Sequence, residues 1–172
     1  MKIKIAITDA NIFIDLYDLE LINHFFSLDI EMHTTIALLY ELYSEQQQIL
    51  FAYKSVNKLK IHNLEEQDFI DIYNENYPKS LSETDKTVLH IANKINACVL
   101  SSDKVLKNCA KNKQIEHLGM LWIFDQLVES HILSKENAFV KLKQLVAINF
   151  TFRNNQHLVN EISKRLKRWH NE

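Results

Sequence analysis

Ile3-Lys4-Ile5-Ala6-Ile7-Thr8-Asp9-Ala10-Asn11 is the stretch that decides the fold. Ile5-Ala6-Ile7 is continuously apolar, the pattern of a strand covered on both faces. We read Ile3 to Thr8 as that strand, with helical patterning over Ile12 to Phe26. An extended segment, Ile30 to His33, leads into Thr34-Thr35, which are placed to cap a helix carrying Ile36, Leu39, Tyr40 and Tyr43. That helix continues or restarts through Ile49 to Val56. Leu59-Lys60-Ile61-His62 alternates like a strand, Glu65 to Tyr73 is helical, and Asn74 to Ser80 is a surface loop.

The second half repeats the alternation. Ser82 starts a helix through Ile95, Ala97 to Ser101 is a buried strand, and Asp103 to Ala110 is a helix. Gln114 to His117 reads as an edge strand, and the chain is helical from Gly119. Ser134 to Val146 and Asn154 to Trp169 then form helices with no strand between them. Strands alternating with helices predict an α/β fold, three-layer α/β/α around a short parallel sheet, plus C-terminal helices. The expected organisation is a domain over residues 1–132 and a helical extension over 133–172 packed on it.

Composition narrows the chemistry. The chain has 172 residues, a formal net charge of −2 and a single glycine, Gly119. Dinucleotide fingerprints, P-loops and nucleophile elbows need several glycines, so those classes are excluded. Cys98 and Cys109 form neither a Cys-x-x-Cys pair nor a zinc spacing, which suits a reducing, cytoplasmic setting. The N-terminus reaches Asp9 before any apolar run of signal-peptide length, and no stretch approaches the roughly 20 apolar residues of a membrane span. The near-neutral charge confines any nucleic-acid contact to a local basic surface.

Four carboxylates stand out. In open parallel sheets ligands bind beyond the carboxyl ends of the strands. Asp9 follows the first strand, and Asp103 follows a later one in Ser101-Ser102-Asp103-Lys104. Each also suits a helix cap. Glu41 is the only charged residue from Met32 to Ser44 apart from His33, with Ala37 and Leu38 behind it on the expected helix. Asp85 lies beside the apolar stripe of Val88, Leu89 and Ala92, and Ser82-x-x-Asp85 is also close to a capping box. Together they could converge on one pocket, where their repulsion calls for a cation. Oxygen donors without a histidine or cysteine cluster favour Mg²⁺ or Mn²⁺ over zinc. Such a site suits phosphodiester cleavage, with Asn11 and Ser102 placed to position water or substrate.

These residues resemble the PIN-domain nucleases, in a bacterial, toxin-like branch. The similar elements are Ile7-Thr8-Asp9-Ala10-Asn11, Leu39-Tyr40-Glu41-Leu42, Leu81-Ser82-Glu83-Thr84-Asp85-Lys86 with Ala92, and Val99-Leu100-Ser101-Ser102-Asp103. Leu118-Gly119-Met120-Leu121 is similar to the turn after that branch's last strand. The ordered set spans roughly residues 1–130. The resemblance implies a Mg²⁺- or Mn²⁺-dependent ribonuclease, often the toxin of a toxin–antitoxin pair. Asp9, Glu41, Asp85 and Asp103 would then be the metal-site acids. The implied partners are an RNA substrate, an antitoxin protein and, as is common among similar proteins, a second copy of the chain; none is a membrane. Scarce glycine and the segment after about residue 132 depart from the family pattern.

That segment is locally basic. Residues 153–172 hold five Lys/Arg (Arg153, Lys164, Arg165, Lys167, Arg168) and two Glu. Leu158, Ile162, Leu166 and Trp169 form one amphipathic stripe. Packing on the domain with a solvated basic face is one reading. RNA-backbone contact and a partner-binding helix are the others. The eight histidines show no ligand spacing. Two further functions compete with the nuclease: a non-catalytic module that binds RNA or protein, and a phosphatase-type fold using Asp9 as nucleophile. The last usually has a second acid where Asn11 stands.

Overall fold

In the computed structural model the described residues run from Lys4 to His170; Ile3, placed in the first strand above, and the last two residues of the basic segment lie outside them. The chain divides into two compact units, one of the N-terminal residues to Ile14 with Asp29–Met120, the other of Asp15–Leu28 with Leu121 onward.

The first unit is built on a five-stranded, all-parallel sheet. Its strands are β1 (Ile5–Thr8), β2 (Glu31–Thr35), β3 (Leu59–His62), β4 (Cys98–Leu100) and β5 (His117–Leu118), in the order β3-β2-β1-β4-β5. The expected α/β class is borne out. From β1 the chain winds outward to β2 and β3, then returns to β4 on β1's other side. Ala6 pairs with Cys98 and Thr8 with Leu100, so β1 and β4 end side by side. That reversal leaves a crevice at their carboxyl ends, where open α/β sheets bind ligands.

Local chemistry sets the helix ends. Thr35 caps α3 (Ile36–Leu39) by accepting from Leu38 N at 3.4 Å, and its hydroxyl meets that of Thr87 at 2.9 Å. Ser82 caps α6 (Glu83–Ile95), which stops where Asn96 turns left-handed at φ 53°. Asparagine tolerates that conformation better than most residues. One face of α6 buries Val88, Leu89, Ile91 and Ala92, and the helix packs on β1, β2 and β4. Asp103 caps α7 (Lys104–Asn112).

Several boundaries differ from the sequence reading. The continuous helix expected over Ile12 to Phe26 is two: α1 (Ala10–Asp18) and α2 (Ile22–Phe25), parted by a turn in which Glu20 adopts φ 57°. The turn lets Leu19 and Leu21 both be fully buried. The helix expected beyond Thr35 stops at Leu39 and restarts as α4 (Ser44–Ser55), because Glu41 N and Leu42 N bond three residues back and Gln46 then accepts from Tyr43 N. Helix α5 (Glu66–Asn74) lies where expected. The edge strand begins at His117 rather than Gln114, whose left-handed φ of 58° closes the turn after α7.

In the second unit, α8 (Met120–Glu129, nearly all within it) precedes α9 (Lys135–Ile148), α10 (Phe150–Asn154) and α11 (Gln156–His170). The short α10 went unread in the sequence; Asn149 caps it by accepting from Thr151 N. The stripe on α11 buries Ile162 and Trp169 and half-buries Leu158 and Leu166. No helix of the described residues is long and apolar enough to cross a membrane.

Candidate active site

Asp9 is the innermost of the four acids, 1 % exposed at the end of β1. Its backbone N–H donates to Leu100 O at 3.1 Å, tying it to β4. Its Oδ1 accepts from Ile12 N at 3.0 Å, capping α1, and its Oδ2 accepts from the Ser101 hydroxyl. Ser101, buried at the end of β4, also accepts from Asp103 N at 2.9 Å. One serine therefore joins the acid after β1 to the acid after β4. The sequence reading passed over Ser101 as a strand end, although a small hydroxyl closing the apolar run Cys98-Val99-Leu100 was its signal.

Asp103 is half-buried and caps α7 through Leu106 N at 2.8 Å. Asp85 is half-buried in the first turn of α6, where its N–H donates to Ser82 Oγ at 3.0 Å and its carboxylate accepts from Ser82 in return. Glu41 is not on an inward helical face as expected. It sits exposed in the turn after α3, between Tyr40 and Tyr43, which are 75 % and 77 % exposed. Asn11 is exposed on the first turn of α1, and Ser102 is half-buried with its hydroxyl enclosed. The capping explanation thus holds for Asp9, Asp85 and Asp103, but capping occupies only part of each carboxylate.

Charge links the four acids. Burial pushes the Asp9 carboxyl up to about 7, hydrogen bonds from Ser101 and Ile12 oppose this, and Asp85 and Asp103 raise it further by repulsion. Asp85 is raised by burial first, then by the charges of Asp103 and Glu41. No ion pair of the described residues involves any of the four. A set of carboxylates that repel one another without a lysine or arginine partner favours a hard cation. As the side chains stand, no three His, Cys, Asp or Glu among the described residues close around a point where one ion could sit. The fit to Mg²⁺ or Mn²⁺ is therefore one of charge and donor type, with closure left to rotation of the half-buried Asp85 and Asp103.

The sequence agrees with this topology over nearly its full length: a PIN-domain family model matches residues 5–168. The chain belongs to the PIN-domain family. The PIN domain is generally a nuclease fold. Among solved structures, the chain is similar to a PilT N-terminus domain protein from the hyperthermophilic archaeon Sulfolobus solfataricus P2. The two are 12 % identical with a TM-score of 0.44, over 73 % of this chain and 94 % of that one. It is also similar to a domain of a functionally unknown protein from Methanocaldococcus jannaschii DSM 2661, 23 % identical with a TM-score of 0.48, over 68 % and 91 %. No curated protein matches it.

The basic residues of this PIN-domain chain's last helices are largely engaged within their own unit. Arg165 donates to both Asp125 oxygens from Nε at 3.1 Å and also pairs with Glu161. Arg168 donates to Asp125 at 2.7 Å, Lys164 to Glu161 at 2.6 Å, and the Arg153 guanidinium lies 5.9 Å from the Phe150 ring centre. Lys167 is exposed.

Proposed function

We propose that this PIN domain is a metal-dependent endoribonuclease that hydrolyses RNA phosphodiesters with an activated water. The observation that carries the reading is the placement of Asp9 and Asp103 at the adjoining ends of β1 and β4, joined through Ser101 and without cationic partners, at the crevice where the sheet order reverses, with Asp85 close enough to repel both. Asp9, Asp85 and Asp103 would hold the ion, with Glu41 reaching in from its exposed turn. Mg²⁺ or Mn²⁺ bound there would polarise the phosphoryl oxygen and lower the pKa of the attacking water. Ser101 fixes Asp9 relative to Asp103, and Asn11, on the open side of α1, orients water or substrate. The toxin half of a toxin–antitoxin pair is the setting the family resemblance suggests. A small DNA-binding protein encoded beside this chain would support it.

The test is direct. With Mg²⁺ or Mn²⁺, the protein should convert a labelled single-stranded RNA to shorter products, and EDTA should stop it. Asp9→Asn and Asp103→Asn should abolish cutting while leaving circular dichroism unchanged; variants that cut as fast as the parent would refute the assignment. One observation favours a second reading, a module that binds without cutting: the carboxylates do not close on a common point. RNA or protein binding that is insensitive to EDTA and leaves no products would support that alternative.

A further inference from the structure

Gly119, the chain's only glycine, follows β5, and no glycine here takes a positive φ, so turn conformation does not explain it. Space does. A Cβ at this position would stand 3.2 Å from the Ser101 carbonyl oxygen, 3.6 Å from Lys107 Nζ and 3.9 Å from Ser102 Oγ. The missing side chain leaves a small cradle between an ammonium and a hydroxyl, one residue from Asp103. Both donors face it without partners. Ser102 Oγ is enclosed and makes no hydrogen bond, and Lys107 enters no ion pair or side-chain hydrogen bond among the described residues. Polar groups withdrawn from water normally find partners, so the one enclosed orphan hydroxyl, Ser102 Oγ, beside an ammonium that no carboxylate neutralises, suits an anion.

We infer that Lys107, Ser102 and the bare backbone of Gly119 form a phosphate subsite for a nucleic-acid strand whose scissile bond lies at the neighbouring carboxylates. The inference rests on the nuclease reading for the identity of the strand, while the cradle itself does not. A phosphate oxygen beside Gly119 accepts from Lys107 Nζ after a shift of less than about 1 Å in that flexible side chain and, once side-chain movement opens the enclosed hydroxyl, from Ser102 Oγ–H. The Ser101 carbonyl, an acceptor at the same gap, keeps the anion on the lysine side. Lys107 therefore contacts substrate rather than the reacting atoms. It contributes a positive charge next to a site otherwise lined by negative ones, where an RNA backbone would be repelled.

The experiment measures binding in EDTA, so that cleavage does not enter, using a fluorescein-labelled single-stranded oligoribonucleotide and fluorescence anisotropy at several salt concentrations. Lys107→Gln should weaken binding about tenfold and reduce the slope of log K against log salt by about 0.7, one neutralised phosphate fewer on a single strand. Lys107→Arg should restore most of it. Amide resonances of Ser102 and Gly119 should shift saturably with inorganic phosphate in the parent and not in Lys107→Gln. Unchanged affinity, slope and amide shifts in Lys107→Gln would overturn the subsite even if the parent cuts RNA, leaving the nuclease reading intact. Lys107-dependent binding without cleavage under any metal would uphold the subsite and remove the nuclease reading.

Discussion

Asp9 shows how far one residue's chemistry follows from position. Its folded pKa of about 7 stands above the ordinary value of 3.8, so the folded state holds a proton that the unfolded state has released. Its contribution to stability is complete below pH 4 and is lost as pH rises through 7. Asp9→Asn keeps both hydrogen bonds, with the Ser101 hydroxyl turned to accept, and carries no charge. In EDTA at pH 8 it should be more stable than the parent by on the order of a few kcal/mol and so melt higher, and its melting temperature should vary less between pH 4 and 7. Added Mn²⁺ should raise the parent's melting temperature more at pH 8 than at pH 5 and leave Asp9→Asn unmoved, because ligation needs the ionised carboxylate. Thermal melts with and without Mn²⁺ check both points. Asp9, Asp85 and Asp103 were legible because a strand end or a capping position fixes a side chain locally. Glu41 was misplaced and Ser101 passed over, because their surroundings depend on what the fold brings beside them.

At the scale of elements, polar joints hold α5 and α6 together. Asp68 is buried in the first turn of α5, where it accepts from Glu65 N at 2.9 Å and from His90 Nε2 and Lys94 Nζ of α6, each at 2.8 Å. The Lys94 bond, the Glu65 bond and the His90 bond hold its carboxyl well below the usual range. The sign is opposite to that of Asp9: this stability is present above about pH 4 and lost as pH falls further. Asp68→Ala should cost about 1–3 kcal/mol at pH 7 by chemical denaturation, and much less at pH 3. On the adjoining strands, His33 Nδ1 and His62 Nε2 lie 2.7 Å apart, with Glu31 on the other His33 nitrogen at 2.8 Å. Elements with strong periodicity or a cap, such as β1, β3 and α6, were readable. The break at Glu20 was not, and of the one at Tyr40–Tyr43 only the option of a restart was, not its place, since burial of leucines on either side decides them and no glycine or proline announces them.

At the scale of the molecule, the alternation of strands and helices predicted the parallel sheet, and the strand order that creates the crevice emerged only from pairing. In the second unit the basic helix proved tied down. The half-buried Asp125 anchors Arg165 and Arg168, so Asp125→Ala should destabilise the protein by about 1–3 kcal/mol in urea melts, while Lys167→Gln should be neutral. Net charge could not distinguish committed arginines from free ones; only their partners do. The central claim is that separate stretches of the sheet's carboxyl edge present carboxylates to one divalent ion. A crystal grown with Mn²⁺ and measured at the manganese absorption edge tests it most directly. The account predicts an anomalous peak within bonding distance of Asp9, Asp85 and Asp103 oxygens, lost in Asp103→Asn. Manganese at millimolar concentration with no peak between those carboxylates would contradict it.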